Sequence, residues 1–240
     1  MTKSQPERHA PTLAGARHRP TSLSTLTAIA TYRYIAIVRA PDADTAFVQT
    51  SALLSLGAGV VEISLTTPDA LDAIRRVVRA HPMALVGAGT VLDAVSAISA
   101  IRAGARLLVT PALHPEVIAA AGRYGVVVVP GCATPTEMLH AHELGAHAVK
   151  LFPARLWTPA ALADVREALP QLHIVPTGGV SIDSVPAWLR AGAFAVGIGS
   201  ALASTTPGRM RENLQLLRDA AAFANAESSA CEKVTEEYPG

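Results

Sequence analysis

The chain has 240 residues, of which 50% are hydrophobic and 16% charged, and its formal net charge is +1. This composition can bury a sizeable core, and a near-neutral chain without a clustered Lys/Arg run gives no reason to expect a nucleic-acid partner. The two cysteines, Cys132 and Cys231, do not make a disulfide framework, so we expect a reducing, cytoplasmic location. No run of about 20 apolar residues is present, so we expect no membrane span.

Short β-rich runs alternate along the chain with alanine-rich segments of helical length. In chain order the runs are YRYIAIVRA, GVVEISLTT, MALVGAG, RLLVTPA, VVVVPG, HAVKLFPA, LHIVPTGG and FAVGIGS. Strands that alternate with helices predict parallel βαβ units. Eight such units predict an α/β fold, a (β/α)8 TIM barrel, in a single domain. A doubly wound sheet is the alternative. We expect this domain to cover residues 22–225, with flexible tails at 1–21 and 226–240.

Several helix starts are marked by a Thr-Pro pair. The threonine can cap the helix and the proline suits its first position, which predicts starts at Thr67, Thr134 and Thr158. Glu137 follows Thr134 by three residues, so this pair predicts a capping box. These threonines therefore need no functional explanation.

Polar side chains occur within two of the apolar runs. Alternate residues of a strand share a face, so in GVVEISLTT the residues Glu62, Ser64 and Thr66 lie opposite the apolar face. In HAVKLFPA, Lys150 shares its face with Phe152 by the same rule. The apolar faces should meet the helices, so we expect Glu62 and Lys150 to point into the barrel interior.

A lysine in an apolar strand requires an explanation, because burial of a charged amine is costly. Burial lowers the pKa of a lysine, and the neutral amine can then attack a ketone to form a Schiff base. A nearby carboxylate such as Glu62 can transfer protons. The alternative is a structural ion pair, which is a poor source of stability because desolvation offsets the Coulomb attraction.

Glycines follow the last two β-rich runs. Gly178-Gly179 follows the seventh run, and Gly197-Ile198-Gly199-Ser200 ends the eighth. Barrels often bind phosphate in the loops after strands seven and eight, and glycines allow backbone N–H groups to approach the oxygens. Tight strand–helix turns are the alternative. GIGSALA and GAGTVLD lack the third glycine of the dinucleotide fingerprint, so we expect no nicotinamide cofactor.

We expect no metal site. His140 and His142 are two residues apart on a predicted helix, and residues at that spacing do not share a face.

A set of motifs in these runs resembles a known enzyme family. In chain order the motifs are VEISLTTPDA, VGAGTV, VTPALHPEVI, VPGCATPTE, VKLFPA and PTGGV. Together, from about Ile35 to Ala203, they resemble the class I aldolases of 2-keto-3-deoxy-6-phosphogluconate (KDPG) and 2-keto-3-deoxy-6-phosphogalactonate (KDPGal). The resemblance implies a (β/α)8 barrel, a homotrimer and no cofactor.

The resemblance also implies a reaction. The partner would be a phosphorylated keto acid, split reversibly into pyruvate and D-glyceraldehyde 3-phosphate. VTPALHPEVI and VPGCATPTE look more like the KDPGal branch, so we expect 2-dehydro-3-deoxy-6-phosphogalactonate as the substrate. Its C4 epimer, 2-dehydro-3-deoxy-6-phosphogluconate, is the alternative. A phosphate-binding barrel without aldolase activity and a silent paralogue are more distant alternatives.

Two catalytic roles follow from the resemblance. Lys150 matches the Schiff-base lysine and Glu62 the catalytic glutamate. Thr90 matches the threonine that holds the pyruvate carboxylate, and Arg39 matches an early strand arginine. Thr66 stands where KDPG-type members have an arginine that contacts the carboxylate. This departure favours the KDPGal branch and leaves more of the carboxylate binding to Arg39 and Thr90.

The resemblance assigns the remaining site residues to two surfaces. Pro111 and Phe152 would form walls of the pyruvyl pocket. The phosphate positions would be Gly178, Gly179, Gly199 and Ser200.

Overall fold

The computed structural model describes residues 21–203 and 206–237, with side chains described up to residue 226 except at 203. The first half contains α1 (Ser22–Tyr32), β1 (Tyr34–Val38), α2 (Ala43–Ser55), β2 (Val60–Ser64), α3 (Ala70–Ala80), β3 (Leu85–Gly89), α4 (Ala94–Ala103), β4 (Leu107–Val109) and α5 (Pro115–Tyr124). The second half contains β5 (Val127–Val129), β6 (Gly131–Cys132), α6 (Pro135–Glu143), β7 (Val149–Leu151), α7 (Pro159–Ala168), β8 (Ile174–Pro176), α8 (Val185–Arg190), β9 (Val196–Ile198), α9 (Ser200–Ala203) and α10 (Pro207–Glu237). Short 3₁₀ helices cover Ala154–Leu156 and Ile182–Ser184.

All the strand pairs in these two ranges are parallel. Six strands form one sheet in the order β5-β4-β3-β2-β1-β9, and three form another in the order β6-β7-β8. This arrangement confirms the predicted α/β class with parallel strands and intervening helices. Each of the eight predicted runs contains a strand, but VVVVPG runs from β5 to the start of β6, with Pro130 between them. Proline has no N–H for the ladder, although the Pro130 carbonyl still accepts from Lys150 N at 2.8 Å.

The two sheets are connected at both edges. Strand β6 follows β5 directly through Pro130. At the other edge, Thr177, just beyond β8, forms a parallel bridge with Gly197 of β9. Phe194 N also donates to Ile174 O at 2.8 Å. The two sheets are therefore linked by the chain itself at one edge and by backbone pairing at the other.

The apolar core has two parts on opposite faces of the strands. The larger part lies against the helices and includes Val61 and Ile63 of β2 and Val149 and Leu151 of β7. The smaller part, here called the inner cluster, takes residues from strands of both sheets and Ile29 from α1. Its strand members, together with Ala148 and Ala195 directly before β7 and β9, are Ile35, Val60, Leu85, Leu107, Val109, Val127, Val129, Ala148, Val175 and Ala195.

The inner cluster fixes the direction of the two predicted polar side chains. Glu62 lies two residues after Val60, and Lys150 lies two residues after Ala148, so each shares the inner face of its strand. The prediction from strand alternation is confirmed.

Two of the three predicted helix starts are confirmed. Thr134 Oγ1 accepts from Glu137 N at 3.3 Å, and Glu137 Oε2 accepts from Thr134 N at 2.9 Å, which completes the capping box. Thr158 caps α7. The prediction for Thr67 is wrong, because α3 begins at Ala70 and the Thr67 hydroxyl instead accepts from Ala40 N at 3.1 Å.

The structure describes only part of the two predicted tails. Residues 1–20 lie outside the described residues, and α10 continues past the predicted boundary at 226 to Glu237. The division into tails and one domain stays a prediction. Within the described ranges, the helices are all too short or too polar to cross a membrane.

Candidate active site

A cavity of about 910 Å³ opens where the strands end. Its walls come from the carboxyl-terminal parts of β1, β2, β3, β7, β8 and β9, and from one side of α10. Ligands of parallel α/β folds bind at this end of the strands, because the loops there converge. The predicted site residues that line the cavity are Arg39, Glu62, Thr90, Lys150, Phe152, Gly178, Gly179, Gly199 and Ser200.

Lys150 lies in the middle of β7 and is 7% exposed. Its Nζ lies over the Phe152 ring, 4.6 Å from the ring centroid, so the aromatic ring covers one side of the amine. Burial lowers the pKa of Lys150 below its ordinary value of 10.5, the charge of Glu62 raises it, and the charge of Arg39 lowers it. Because burial is the largest of these effects, the neutral amine is favoured.

Glu62 lies on β2 and is 3% exposed. Burial raises the pKa of this carboxyl, while the positive charges of Lys150 and Arg39 lower it. A Cβ atom on Gly89 of the neighbouring strand would overlap the Glu62 carboxylate, so only glycine leaves room for the side chain here. In the described part of the chain, Glu62 and Lys150 interact through space without a direct ion pair.

Arg39 is connected to Thr90 by two intervening hydroxyl groups. Arg39 Nε donates to Thr66 Oγ1 at 3.1 Å, Thr66 Oγ1 is 2.8 Å from Ser64 Oγ, and Ser64 Oγ is 2.8 Å from Thr90 Oγ1. Thr90 has a φ of 57°, a left-handed conformation that is unusual for a β-branched residue. Thr66 does not itself line the cavity among the described residues, but it holds Arg39, which does.

The predicted phosphate positions lie together at one end of the cavity. Gly178 and Gly179 have φ values of 86° and 97°, which favour glycine. A Cβ on Gly179 would lie 2.6 Å from the Cβ of Arg155, so the Cβ of this arginine packs directly against the glycine turn. Arg155 lines the cavity together with Gly199 and Ser200.

Pro111 is not among the described residues that line the cavity. Its backbone carbonyl instead lies against Gly131, where a Cβ would overlap it. Its role as a wall of the pyruvyl pocket stays a prediction.

Several cavity residues have no role in the sequence prediction. Thr177 is 5% exposed, lines the cavity and donates to Val175 O at 3.2 Å. Thr177 lies within the motif PTGGV and Arg155 directly follows VKLFPA, so these motifs could have signalled both residues. Asn213 of α10 also lines the cavity and donates to Ala201 O at 2.7 Å. No local pattern indicates Asn213, because α10 reaches the site only through tertiary packing.

Other candidate groups lie in ordinary surroundings. His140 is an exposed partner of Glu143, with Nδ1 3.8 Å from Oε2. Burial raises the pKa of the Cys132 thiol to about 12, which makes it a poor nucleophile. Among the described residues, no group of three or more His, Cys, Asp or Glu side chains could hold a metal ion.

Comparison with known proteins identifies the family. A family model described as KDPG and KHG aldolase matches residues 27–215. The chain belongs to this aldolase family. It is 39% identical over 170 residues to the 2-dehydro-3-deoxy-6-phosphogalactonate aldolase of Escherichia coli (strain K12), a match that covers 70% of this chain and 83% of that protein.

Two solved structures are similar to this chain in both fold and sequence. A structure described as native KDPGal has a TM-score of 0.75 and 36% identity, and covers 80% of this chain and 96% of its own. A cube-shaped, highly porous cage designed by fusing symmetric oligomeric domains has a TM-score of 0.76 and 34% identity, and covers 86% of this chain and 78% of its own. The membership predicted from the motifs is therefore confirmed.

Proposed function

We propose that this protein is a class I aldolase that reversibly cleaves 2-dehydro-3-deoxy-6-phosphogalactonate to pyruvate and D-glyceraldehyde 3-phosphate. The observation that carries the proposal is the buried Lys150, whose pKa is lowered, in one cavity with the buried Glu62. The similarity to the Escherichia coli enzyme supports the choice of substrate.

We also propose that the strands form a closed (β/α)8 barrel. The inner cluster combines residues from both sheets, and the sheets connect through Pro130 at one edge and through the Thr177–Gly197 bridge at the other. With β5 and β6 counted as one interrupted strand, eight parallel strands would surround the cluster. In such a barrel the active site lies at the carboxyl end of the strands, which is where the cavity opens.

Lys150 would supply the covalent chemistry. Its neutral amine attacks the C2 ketone of the substrate, and loss of water leaves an iminium that links C2 to Nζ. When the C3–C4 bond breaks, its electron pair flows toward the iminium nitrogen and an enamine forms. The surrounding burial lowers the pKa of Lys150 and so increases the share of neutral amine, which is the state that attacks.

Glu62 would transfer the protons. As a carboxylate it takes the proton of the C4 hydroxyl, directly or through a water, so that C4 becomes the aldehyde carbon of D-glyceraldehyde 3-phosphate. The same carboxyl group then gives a proton to C3 of the enamine, and hydrolysis of the resulting iminium releases pyruvate and restores the amine. A carboxyl with a raised pKa suits both directions of transfer.

The two charged ends of the substrate would bind at opposite parts of the cavity. Arg39 and Thr90 are placed for the carboxylate by the resemblance. Gly178, Gly179 and Ser200 are placed for the phosphate, and the nearby cation of Arg155 favours an anion there. Binding energy from a phosphate remote from C3 and C4 can orient the reacting carbons.

Trapping with pyruvate and borohydride tests the Schiff base. We expect a reduced pyruvyl adduct on Lys150, located by peptide mass spectrometry, and its loss together with aldolase activity in Lys150→Met. Borohydride inactivation that requires pyruvate would also exclude an epimerase or isomerase that works without a Schiff base. A folded protein that forms no adduct, or a Lys150→Met variant with unchanged activity, would overturn the proposal.

The C4 configuration needs a separate assay. The matched family is described by both KDPG and KHG, so the KDPG epimer is the second candidate substrate. We expect a higher kcat/KM for 2-dehydro-3-deoxy-6-phosphogalactonate than for 2-dehydro-3-deoxy-6-phosphogluconate when pyruvate release is followed. A preference for the phosphogluconate would reverse the assignment without affecting the Lys150 chemistry.

We propose further that the protein assembles as a homotrimer. The similarity to the cage built from symmetric oligomeric domains supports an oligomer, and exposed apolar side chains such as Leu92 and Val95, which are 52% and 76% exposed, offer contact surface. Light scattering after size-exclusion chromatography should give three times the chain mass of 24.9 kDa. A monomeric or dimeric mass would refute the proposal.

A further inference from the structure

Ser64 is the central member of the hydrogen-bonded chain that runs from Arg39 to Thr90. It is fully buried, with 0% exposure, and its Oγ lies 2.8 Å from the hydroxyl oxygens of both Thr66 and Thr90. Thr66 in turn accepts from Arg39 Nε at 3.1 Å. Two hydroxyl groups, those of Thr66 and Ser64, therefore connect the Arg39 cation to the hydroxyl of Thr90, and Arg39 and Thr90 both line the cavity.

The charge of Arg39 determines which hydroxyl donates and which accepts at each step of this hydrogen-bonded chain. A guanidinium has donors and no acceptor, so Thr66 Oγ1 accepts from Arg39. Each hydroxyl has one proton, and a positive charge orients nearby hydroxyl dipoles with their protons pointing away from it. Thr66 then donates to Ser64 and Ser64 donates to Thr90. Thr66 N also points at Ser64 Oγ, at 3.4 Å, which agrees with Ser64 as an acceptor from this side.

The direction determines what Thr90 can offer to a ligand. When Thr90 Oγ1 accepts from Ser64, its own proton is not needed within the chain and is available to the cavity that Thr90 lines. With the opposite direction, the Thr90 proton would be used on Ser64. The backbone of Thr90 is held at a φ of 57°, and such strained conformations persist only where neighbouring contacts hold them.

We propose that Ser64 is a positioning residue that transmits the polarity of Arg39 to Thr90 and so makes the Thr90 hydroxyl a donor to the carboxylate of the keto-acid substrate. This inference rests on the proposed aldolase function. It accounts for a carboxylate site in which Thr66 stands where an arginine is expected. The positive charge then acts on the carboxylate both directly and through the oriented hydroxyls.

Two variants interrupt the hydrogen-bonded chain of hydroxyl groups at different points. Ser64→Ala removes the central hydroxyl, and Thr66→Val removes the outer one at an exposed residue whose loss should not affect folding. The pyruvate concentration for half-maximal borohydride trapping of Lys150 should rise about five- to tenfold in each, as expected when one donor to a charged group is misdirected. The trapping rate at saturating pyruvate should stay close to that of the wild type.

The double variant separates transmission from independent contacts. If the polarity passes through Ser64, either break has the same consequence for Thr90, so Ser64→Ala with Thr66→Val should bind pyruvate no worse than the weaker-binding of the two single variants. Trapping of hydroxyacetone, a ketone without a carboxylate, should be the same in all variants and the wild type. Thr50→Val removes a buried hydroxyl of α2 that has no hydrogen-bond partner among the described residues; it is the control and should leave the trapping of both ligands unaffected.

Each failure has its own signature. Wild-type protein that pyruvate and borohydride do not label would refute the aldolase proposal itself. Normal labelling of the wild type with an unchanged half-saturation in both variants would refute the role of Ser64 alone. Additive losses in the double variant, or equal losses with hydroxyacetone, would also refute it, because they indicate independent contacts or a general disturbance of the site.

Discussion

The charge of Glu62 should control the pKa of Lys150, and the variant Glu62→Gln isolates that control. Burial lowers the pKa of Lys150 from 10.5, and Glu62 opposes this by raising it. An opposite charge within about 4–6 Å typically shifts a pKa by about one to three units. Without the Glu62 charge, the pKa of Lys150 should therefore fall, and each unit of that fall gives about ten times more neutral amine at a pH below the pKa.

The sign of the effect is opposite for the amine and for the reaction. The neutral amine exists above the pKa of Lys150 and is lost as the pH falls through it, so Glu62→Gln should extend the reactive range to lower pH. Cleavage of the substrate should nevertheless fall by about 10²- to 10⁴-fold, because the group that takes the C4 proton is absent. A more reactive amine in a slower aldolase would separate the two roles.

Competitive labelling measures the pKa directly. Trace acetic anhydride is applied over a pH series from about 5 to about 11, and mass spectrometry quantifies acetylation of the Lys150 peptide. The sequence has only two other lysines, Lys3 and Lys233, which serve as references in the same sample. Glu167→Gln, which removes an exposed carboxylate on α7, is the matched control and should not move the Lys150 midpoint.

Two results would refute the electrostatic reasoning. An unchanged or higher Lys150 midpoint in Glu62→Gln would mean that the carboxylate does not stabilise the charged amine. A wild-type midpoint at or above the ordinary lysine value of 10.5 would mean that burial does not favour the neutral form, and the Schiff-base assignment would lose its physical basis.

Four further substitutions test other parts of the site and fold. In the condensation direction, Arg155→Ala should raise the KM for D-glyceraldehyde 3-phosphate about three- to tenfold at low salt and less at high salt. The KM for unphosphorylated glyceraldehyde should not change. Equal effects on both aldehydes would exclude a phosphate contact. Gly89→Ala should abolish most activity because its Cβ displaces the Glu62 carboxylate. Gly122→Ala in α5 is the control, since a Cβ there meets no described atom within 4 Å. It should stabilise the protein by about 0.5–1 kcal/mol and leave the activity unchanged. Thr134→Ala should lower the unfolding free energy by about 1 kcal/mol and the Tm by about 2–4 °C in a thermal melt without a change in kcat, and an unchanged Tm would show that the capping box is dispensable.

The sequence was sufficient where the physical cause is local. Alternation of side chains is a property of one strand, so the inward direction of Glu62 and Lys150 could be predicted from their own runs. The capping box of Thr134 and Glu137 spans only one turn of helix and was equally predictable. The order of the motifs along the chain was enough for the family, because their combination is far more specific than any single one.

Local patterns failed where a competing contact decides the outcome. Thr67 precedes a proline in the same way as Thr134, but its hydroxyl accepts from the backbone N–H of Ala40, two residues beyond the end of β1. Pro130 interrupts a run that reads as one continuous strand. The Thr67 bond joins residues far apart in the chain, which the pattern within a single run does not contain, whereas the break at Pro130 follows from the missing N–H of proline.

The assembled site is the part that only the tertiary structure decided. Arg39, Ser64 and Thr90 lie on or just beyond three successive strands, and their hydrogen-bonded chain depends on the register of β1, β2 and β3. Asn213 reaches the cavity because α10 packs against α8 and α9. Periodicity in the sequence fixes the face on which a side chain lies, since it follows from backbone geometry. Distances between side chains on different elements follow from register and packing, which involve residues far apart in the chain.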